Sequence, residues 1–384
     1  MRTPSEFDSI RPFEPEELPE VFDRLTADPQ FRSIVARLYP QIPMEAIEAR
    51  MRSCRSNFEF QKAFCYVFLK ELLGMVSKGG EIDVSAINKS RCYTFISNHR
   101  DIVLDAALLS VFLIDAGFPN TCENAIGDNL LATPWIKDLA RLNKSFIVER
   151  SLPPREMLAA SLRLSRYMRF VIEEKHDSVW IAQREGRSKD SNDRTQTALL
   201  KMLAMGGEGN LIESLRQLHI VPLAISYEYD PCDYLKAQEF QLKRDNPAWK
   251  KTPADDVKSM QTGIMGYKGS IRYHCAPCID EWLSTLDPSL PKGDLLNLIA
   301  AHIDREIHKH YALFPSNFIA DDLLTEEMRW KSHYTDEQKR SMEEYVRAQL
   351  DKVEVEAKDE PYLRRQILTM YANPLRNHFI AVSE

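Results

Sequence analysis

Long apolar runs are missing from this sequence. Its most hydrophobic stretch, DAALLSVFLIDAGF, meets an aspartate within about ten residues, short of the ~20 apolar residues a spanning helix needs. Any membrane contact is therefore expected to be peripheral. No cationic, apolar leader opens the chain, and the seven cysteines are odd in number and scattered. Neither secretion nor a disulfide framework is expected, and the cytoplasm is the expected setting. Glycine is scarce, 13 of 384 residues, too few for a fibrous or low-complexity chain. Positive charge is in deficit, with a formal net charge of −7, so no nucleic-acid partner is expected and any anion site must be a local basic pocket. Individual arginines are worth following for that reason.

What is present is an ordinary globular composition, 44% hydrophobic and 28% charged, long enough for one large domain with helical additions or for two. Residues 16–78 read as helices, and Phe60, Phe64, Phe68 and Leu72 recur every fourth position. Such a stripe is more often core than a membrane-facing surface. GGEID at 79–83 ends this prefix. From 91 to about 280, short β-rich runs alternate with helical ones. CYTFIS (92–97), SFIVE (145–149), SVWIAQ (178–183) and IVPLAISYE (220–228) read as strands, with a further one at GSIRYHCAP. Helical stretches lie near 101–115, 131–141, 154–175 and 208–217. The alternation predicts an α/β fold with a largely parallel sheet flanked by helices. The expected divisions are a helical N-terminal region (1–90), an α/β domain (91–284) and a polar, helical C-terminal region (285–384), with no internal repeat.

Three strand ends carry chemistry. In ISNHRDIVLDAALLSVF, His99 follows a strand and precedes a helix, at the sheet edge where α/β proteins commonly place ligands. An imidazole there can take a proton from a hydroxyl near neutral pH, and Asp101 or Asp105 can fix its tautomer. The bland alternative is that Asp101 or Asn98 caps the helix and His99 is incidental. In QREGRSKDSNDRT, basic residues surround Gly186, which lets backbone approach an anion; a solvated charged loop is the competing reading. In NKSFIVERSLPPRE, Arg150 ends a strand.

Taken in order, these clusters resemble the glycerolipid acyltransferase superfamily, which includes glycerol-3-phosphate and 1-acylglycerol-3-phosphate acyltransferases. Asn98, His99, Arg100, Leu104 and Asp105 match the two ends of its first block; KSFIVER, ending at Arg150, resembles the second. EGRSK, with Glu185, Gly186 and Arg187, resembles the third, and IVPLAISYE around Pro222 the fourth. The sequence departs from the pattern in three places. Five residues rather than four separate His99 from Asp105, Lys144 stands where the second block has glycine, and the third block lacks one residue between Gly186 and Arg187.

The resemblance implies transfer of a fatty acyl group from acyl-CoA or acyl carrier protein to a hydroxyl of glycerol 3-phosphate or 1-acylglycerol 3-phosphate in phospholipid synthesis. It implies His99 as base, Asp105 as its partner, Arg150, Glu185, Gly186 and Arg187 as substrate-binding residues, and no metal or cofactor. It also implies peripheral attachment to the inner face of the membrane. The alternatives are an amino-acid lipid or other acceptor, or an inactive lipid-binding scaffold of the same fold.

Other signals are weaker. HCAPC (274–278) offers a single C-x-x-C, better read as a turn at Pro277 than as a zinc or redox site. His302, His308 and His310 fit no zinc-protease spacing and read as a solvated helix face. GIMGYKGS (263–270) lacks the order of a phosphate-binding loop.

Overall fold

The apolar runs expected to be strands form the spine of one sheet in a computed structural model, which describes residues 2–383. Its strands are β1 (Gly79–Asp83), β2 (Thr94–Ser97), β3 (Cys122–Gly127), β4 (Ser145–Val148), β5 (Ser178–Ala182), β6 (Ile220–Tyr227) and β7 (Ser270–Cys275). Their spatial order is β1-β7-β6-β2-β5-β3-β4. From β6 to β4 all neighbours are parallel, whereas β7 runs antiparallel to β6 and carries β1 parallel to itself. The α/β class and the largely parallel sheet are thus what the chain forms.

Two strands lie where no strand pattern was read. GGEID becomes β1 because register pairing with β7, rather than burial, defines this edge strand. CENAIG becomes β3, although it lacks a β-branched run, because its one buried charge is matched: Glu123 accepts from the Tyr167 hydroxyl and the Lys175 ammonium.

Helices cover both faces, as a parallel sheet requires. On one face Ile96, Phe146, Val179 and Ile181 pack against the helices Pro154–Glu173 and Lys292–Lys309. On the other, Phe95, Trp180, Val221 and Leu223 meet the helices Tyr66–Val76 and Leu104–Asp115. Each large apolar side chain buried this way contributes about 1.5–3 kcal/mol before ordering costs. The phenylalanine stripe of the N-terminal region divides between two cores. A π-type turn at Gln61–Cys65 rotates the helix, leaving Phe60 and Phe64 with the N-terminal helices and turning Phe68 and Leu72 toward the sheet. A separate core joins the helix Asp233–Asp245 to the C-terminal helices Pro315–Thr325, Asp336–Asp351 and Glu360–Ser383. No described helix is long and apolar enough to cross a membrane.

Lys144 and the GIMGYKGS stretch have local explanations. Lys144 adopts φ +59°, the left-handed region where glycine is at ease. Its buried ammonium offsets that strain by donating to Asn120 Oδ1, the Thr121 carbonyl and Asp177 Oδ2 at 3.0–3.1 Å. The glycines of GIMGYKGS serve close packing: a Cβ at Gly263 would stand 2.0 Å from Asp101 Oδ2, and one at Gly266 2.3 Å from Pro231 Cβ.

Candidate active site

β2 ends at Ser97, and the helix expected from 101 begins at Leu104. Between them the chain makes a turn organised by carboxylates. Asp101 Oδ1 accepts the backbone N–H groups of Val103 (2.9 Å) and Leu104 (2.8 Å), which caps the helix and delays its start. Burial, reinforced by nearby Asp105, pushes the Asp101 carboxyl above its ordinary range. Asn98 turns back to the sheet, donating to the Ile225 carbonyl (2.9 Å) and accepting the Ile225 N–H (2.8 Å).

Asp105 lies in the first turn of the helix and is fully buried. Its Oδ2 stands 2.7 Å from His99 Nδ1 and accepts the backbone N–H groups of Arg100 (2.6 Å) and Asp101 (3.1 Å). Its Oδ1 accepts the Tyr227 hydroxyl at 3.1 Å. Four donors converge on one carboxylate, which is what allows a charge to stay buried. An acceptor-only partner requires Nδ1 to carry the proton, leaving Nε2 with its lone pair free. The six-residue step from His99 to Asp105 is spanned without strain because the turn, rather than the helix, takes up the length. The imidazole meets the edge of Trp180 at 5.9 Å between ring centres, and the Trp180 Nε1–H is held by Ser97 Oγ at 3.0 Å.

His99 opens onto a cleft of about 740 Å³ at the carboxyl ends of the parallel strands, and Arg150, Glu185, Gly186 and Arg187 all line it. The cleft thereby brings together His99, Arg150, Glu185, Gly186 and Arg187, while Asp105 sits behind His99 and neither Asp101 nor Arg100 lines it. One arm of the cleft is apolar, walled by Ile126, Val148, Met157, Leu164, Leu199 and Met202. The other, toward the helix Asp233–Asp245, is charged.

Arg150 reaches the cleft from the end of β4. Asp128 receives the Arg150 and Ser151 N–H groups at 3.2 Å and shapes the turn, while the guanidinium lies across Gly127, where a Cβ would come within 3.4 Å of it. Gly186 has φ +68° and forms the bend before Arg187. The Arg187 guanidinium is largely buried. Desolvation works against its charge, but Cys232, Asp230 and Asp101 around it hold its pKa above the ordinary value. Its Nη1 is buried with no hydrogen-bond partner among the described residues. Such an orphaned donor in a cleft suits an anionic ligand.

Arg100 belongs to the first block yet takes no part in the cleft. It is buried against Asp193, with Nη2 2.7 Å from Oδ2, and ties the 184–195 loop to the end of β2. The same loop is held by the C-terminal region. Tyr311 donates its hydroxyl to Asp193 Oδ2 (2.5 Å), and His308 Nε2 lies 3.0 Å from the Asp193 carbonyl. Thr195 bonds Asp304, and Asn373 donates to the Asp190 carbonyl at 2.8 Å.

The solvated face expected for the three histidines is therefore incorrect. His308 is buried against the loop, His302 stacks on Trp282 at 3.7 Å, and His310 stacks on His274 at 4.3 Å. Burial drives both His302 and His308 down to about 4. Helical spacing could not show this, because the partners come from distant segments. Trp180, Tyr227 and Lys236 at the site also went unread. Only Trp180 carried a signal, as the largest side chain of a strand that ends at the cleft.

The second cysteine of HCAPC joins a different group. His219, Cys278 and Asp280 bring one ligand atom each within 4.8 Å of one another at the opposite end of the sheet from His99. The Arg91 guanidinium stands 3.2 Å from the His219 Nδ1 and supplies a positive charge there, and desolvation keeps the Cys278 thiol protonated, its pKa pushed up to about 12.

Residues 83–226 match the family model described as Acyltransferase. That span runs from the end of β1 through β6 and contains the His99 turn, Arg150 and the Arg187 loop. Among solved structures, the 1-acyl-sn-glycerophosphate (LPA) acyltransferase PlsC from Thermotoga maritima is similar at 13% identity and a TM-score of 0.41, over 76% of this chain and 95% of that one. No curated protein matches the sequence.

Proposed function

Residues 83–226 match the family model described as Acyltransferase, and from that match and the site geometry we propose that the protein transfers a fatty acyl group from acyl-CoA or acyl carrier protein to a hydroxyl of glycerol 3-phosphate or 1-acylglycerol 3-phosphate. The observation that carries this reading is the His99–Asp105 pair at 2.7 Å, opening onto a cleft that also holds Arg150 and Arg187. In this mechanism the acceptor phosphate lies against the arginines, which places the hydroxyl at His99 Nε2. Nε2 takes the hydroxyl proton as the oxygen attacks the thioester carbonyl, and Asp105 holds the resulting imidazolium. The tetrahedral intermediate collapses with cleavage of the C–S bond, and the departing thiolate takes the proton from Nε2. No acyl-enzyme forms. The apolar arm suits the acyl chain. The protein meets its lipid product at the membrane surface as a peripheral protein.

The test is to incubate purified protein with acyl-CoA or acyl carrier protein thioesters and a panel of glycerol phosphates, lysolipids and amino-acid lipids, and to identify products by mass spectrometry. Phosphorylated glycerol products, lost in a folded His99→Ala variant, are expected. Products only on acceptors without phosphate would overturn the acceptor assignment, and no product with any acceptor would overturn the enzyme reading.

A further inference from the structure

Lys236 lies outside the matched family segment, in DYLKAQEFQ, which reads as an ordinary amphipathic helix. It sits in the first turns of the helix Asp233–Asp245 and lines the same cleft as His99 and Arg187. Its side chain is only 3% exposed, yet its ammonium has a single protein acceptor among the described residues, Asp230 Oδ2. An ammonium has three protons to donate, so two are unmatched in a nearly dry site. Asp230 is shared as well: Arg187 lies close enough to stabilise its charge, and its Oδ1 is taken by the Cys232 N–H at 2.9 Å. One carboxylate thus serves Lys236 directly and lies near Arg187, and each cation has donors left over. Arg187 contributes a buried, unpartnered Nη1 and Lys236 its two free protons.

We infer that Lys236 is the second arm of the phosphate grip, pairing with Arg187 across Asp230 to make the cleft select acceptors that carry a phosphate monoester over neutral glycerolipids. The inference rests on the acyl-transfer reading and adds to it a specificity residue from a separate part of the chain. A phosphate dianion matches the available donors, filling Nη1 of Arg187 and the free protons of Lys236, while Asp230 keeps the two cations at a fixed separation. A neutral acceptor leaves both sets of donors buried and unsatisfied, and buried polar groups without partners give the strongest discrimination that binding can provide. Lys236 is itself held in place through Asp233. That carboxylate accepts the hydroxyls of Tyr345 (2.8 Å) and Tyr371 (2.7 Å) and the Gln349 amide (2.6 Å), which fastens the start of the helix to the C-terminal helices.

The experiment compares wild type with Lys236→Met, with Lys236→Arg, and with the double variant Lys236→Met/Asp230→Asn. The double variant removes both charges and guards against misfolding from an unpaired buried carboxylate. Steady-state kinetics are measured on 1-acylglycerol 3-phosphate and on the corresponding 1-acylglycerol, and binding of glycerol 3-phosphate is followed by calorimetry. Loss of Lys236 should raise the KM for the phosphorylated acceptor about tenfold with kcat within a few-fold, and lower the phosphorylated-to-neutral ratio of kcat/KM by about as much. Arg at 236 should retain most of the preference. An unchanged ratio and unchanged calorimetric affinity in a folded Lys236 variant would overturn the inference. If the wild type transfers no acyl group to anything, the acyl-transfer reading fails on its own, and the calorimetric comparison still decides whether Lys236 holds phosphate.

Discussion

The two adjacent strand ends that meet at the cleft are built in opposite ways. The His99 turn is assembled almost entirely from its own neighbourhood: Asp105 and Asp101, within six residues, bind the ring and the backbone of the turn that carries it. The 184–195 loop, which carries Arg187, is fixed from far away. Arg100 lies 93 residues from its partner Asp193, Tyr311 lies 118 residues from the same carboxylate, and Asn373 reaches Asp190 across 183 residues. In the proposed mechanism the base can be set by local geometry, because one histidine and one acid suffice. An anion site needs several cations held apart against their own repulsion, and only a scaffold drawn from the whole chain can do that.

Breaking the distant clamp should produce the largest effect. Asp193→Ala strands Arg100 as an unpaired buried charge, and a loss of about 3–5 kcal/mol in denaturant-induced unfolding is expected. Arg100→Met in the same background should restore much of it. If Asp193→Ala unfolds like wild type, the loop is not held through this pair.

The local side of the comparison is tested by exchanging its two acids. Asp105→Asn should cut turnover by about two orders of magnitude, the contribution of a positioned acid–base group. Asp101→Ala, which removes the cap, should leave turnover near wild type and lower stability by roughly 1 kcal/mol. The reverse pattern would make Asp101 the partner of His99 in solution.

A smaller, graded effect is expected from the arginines. Arg150→Lys and Arg187→Lys each exchange a planar fork for a point charge and should raise the acceptor KM several-fold, clearly more than Arg216→Lys, which lies outside the cleft. Equal effects at all three positions would remove the arginines from the anion site.

The subtlest test uses pH. Asp304 anchors Thr195 at the end of the loop, and burial pushes its carboxyl up to about 6 from an ordinary 3.8, although the Thr195 hydrogen bonds pull the other way. A raised carboxyl binds its proton more tightly in the folded state. Its contribution to stability is therefore complete below about pH 4 and is lost as pH rises through about 6. Asp304→Asn keeps an acceptor for Thr195 and cannot ionise, so the decline between those values should flatten in pH-dependent melting. An unchanged profile would mean that Asp304 ionises normally.

The contrast between the two strand ends also explains what could be read from the residues alone. β2, β4, β5 and β6 were legible because each is a short apolar run next to turn signals, and the spacing of His99, Asp101 and Asp105 was legible because a turn and a helix start lie within a few residues. β1 and β3 were not, since one is defined by its pairing and the other by a buried glutamate whose partners, Tyr167 and Lys175, come from the helix Pro154–Glu173 and the turn just after it. The packed roles of Arg100, Lys236 and His308 were hidden for the same reason. Their partners are specified by tertiary contacts, and neither hydrophobic period nor local spacing encodes those.

The clamp on the loop also sets an order of events in time. Closing the His99–Asp105 turn restrains a handful of residues, whereas bringing Asp190 to Asn373 restrains a chain segment of 183 residues, and the entropic cost grows with length. A refolding chain is accordingly expected to form the sheet and its histidine turn before the arginine loop is fastened. Indole fluorescence from Trp180, packed beside His99, should recover first, and affinity for the phosphorylated acceptor should return only when the last helix docks.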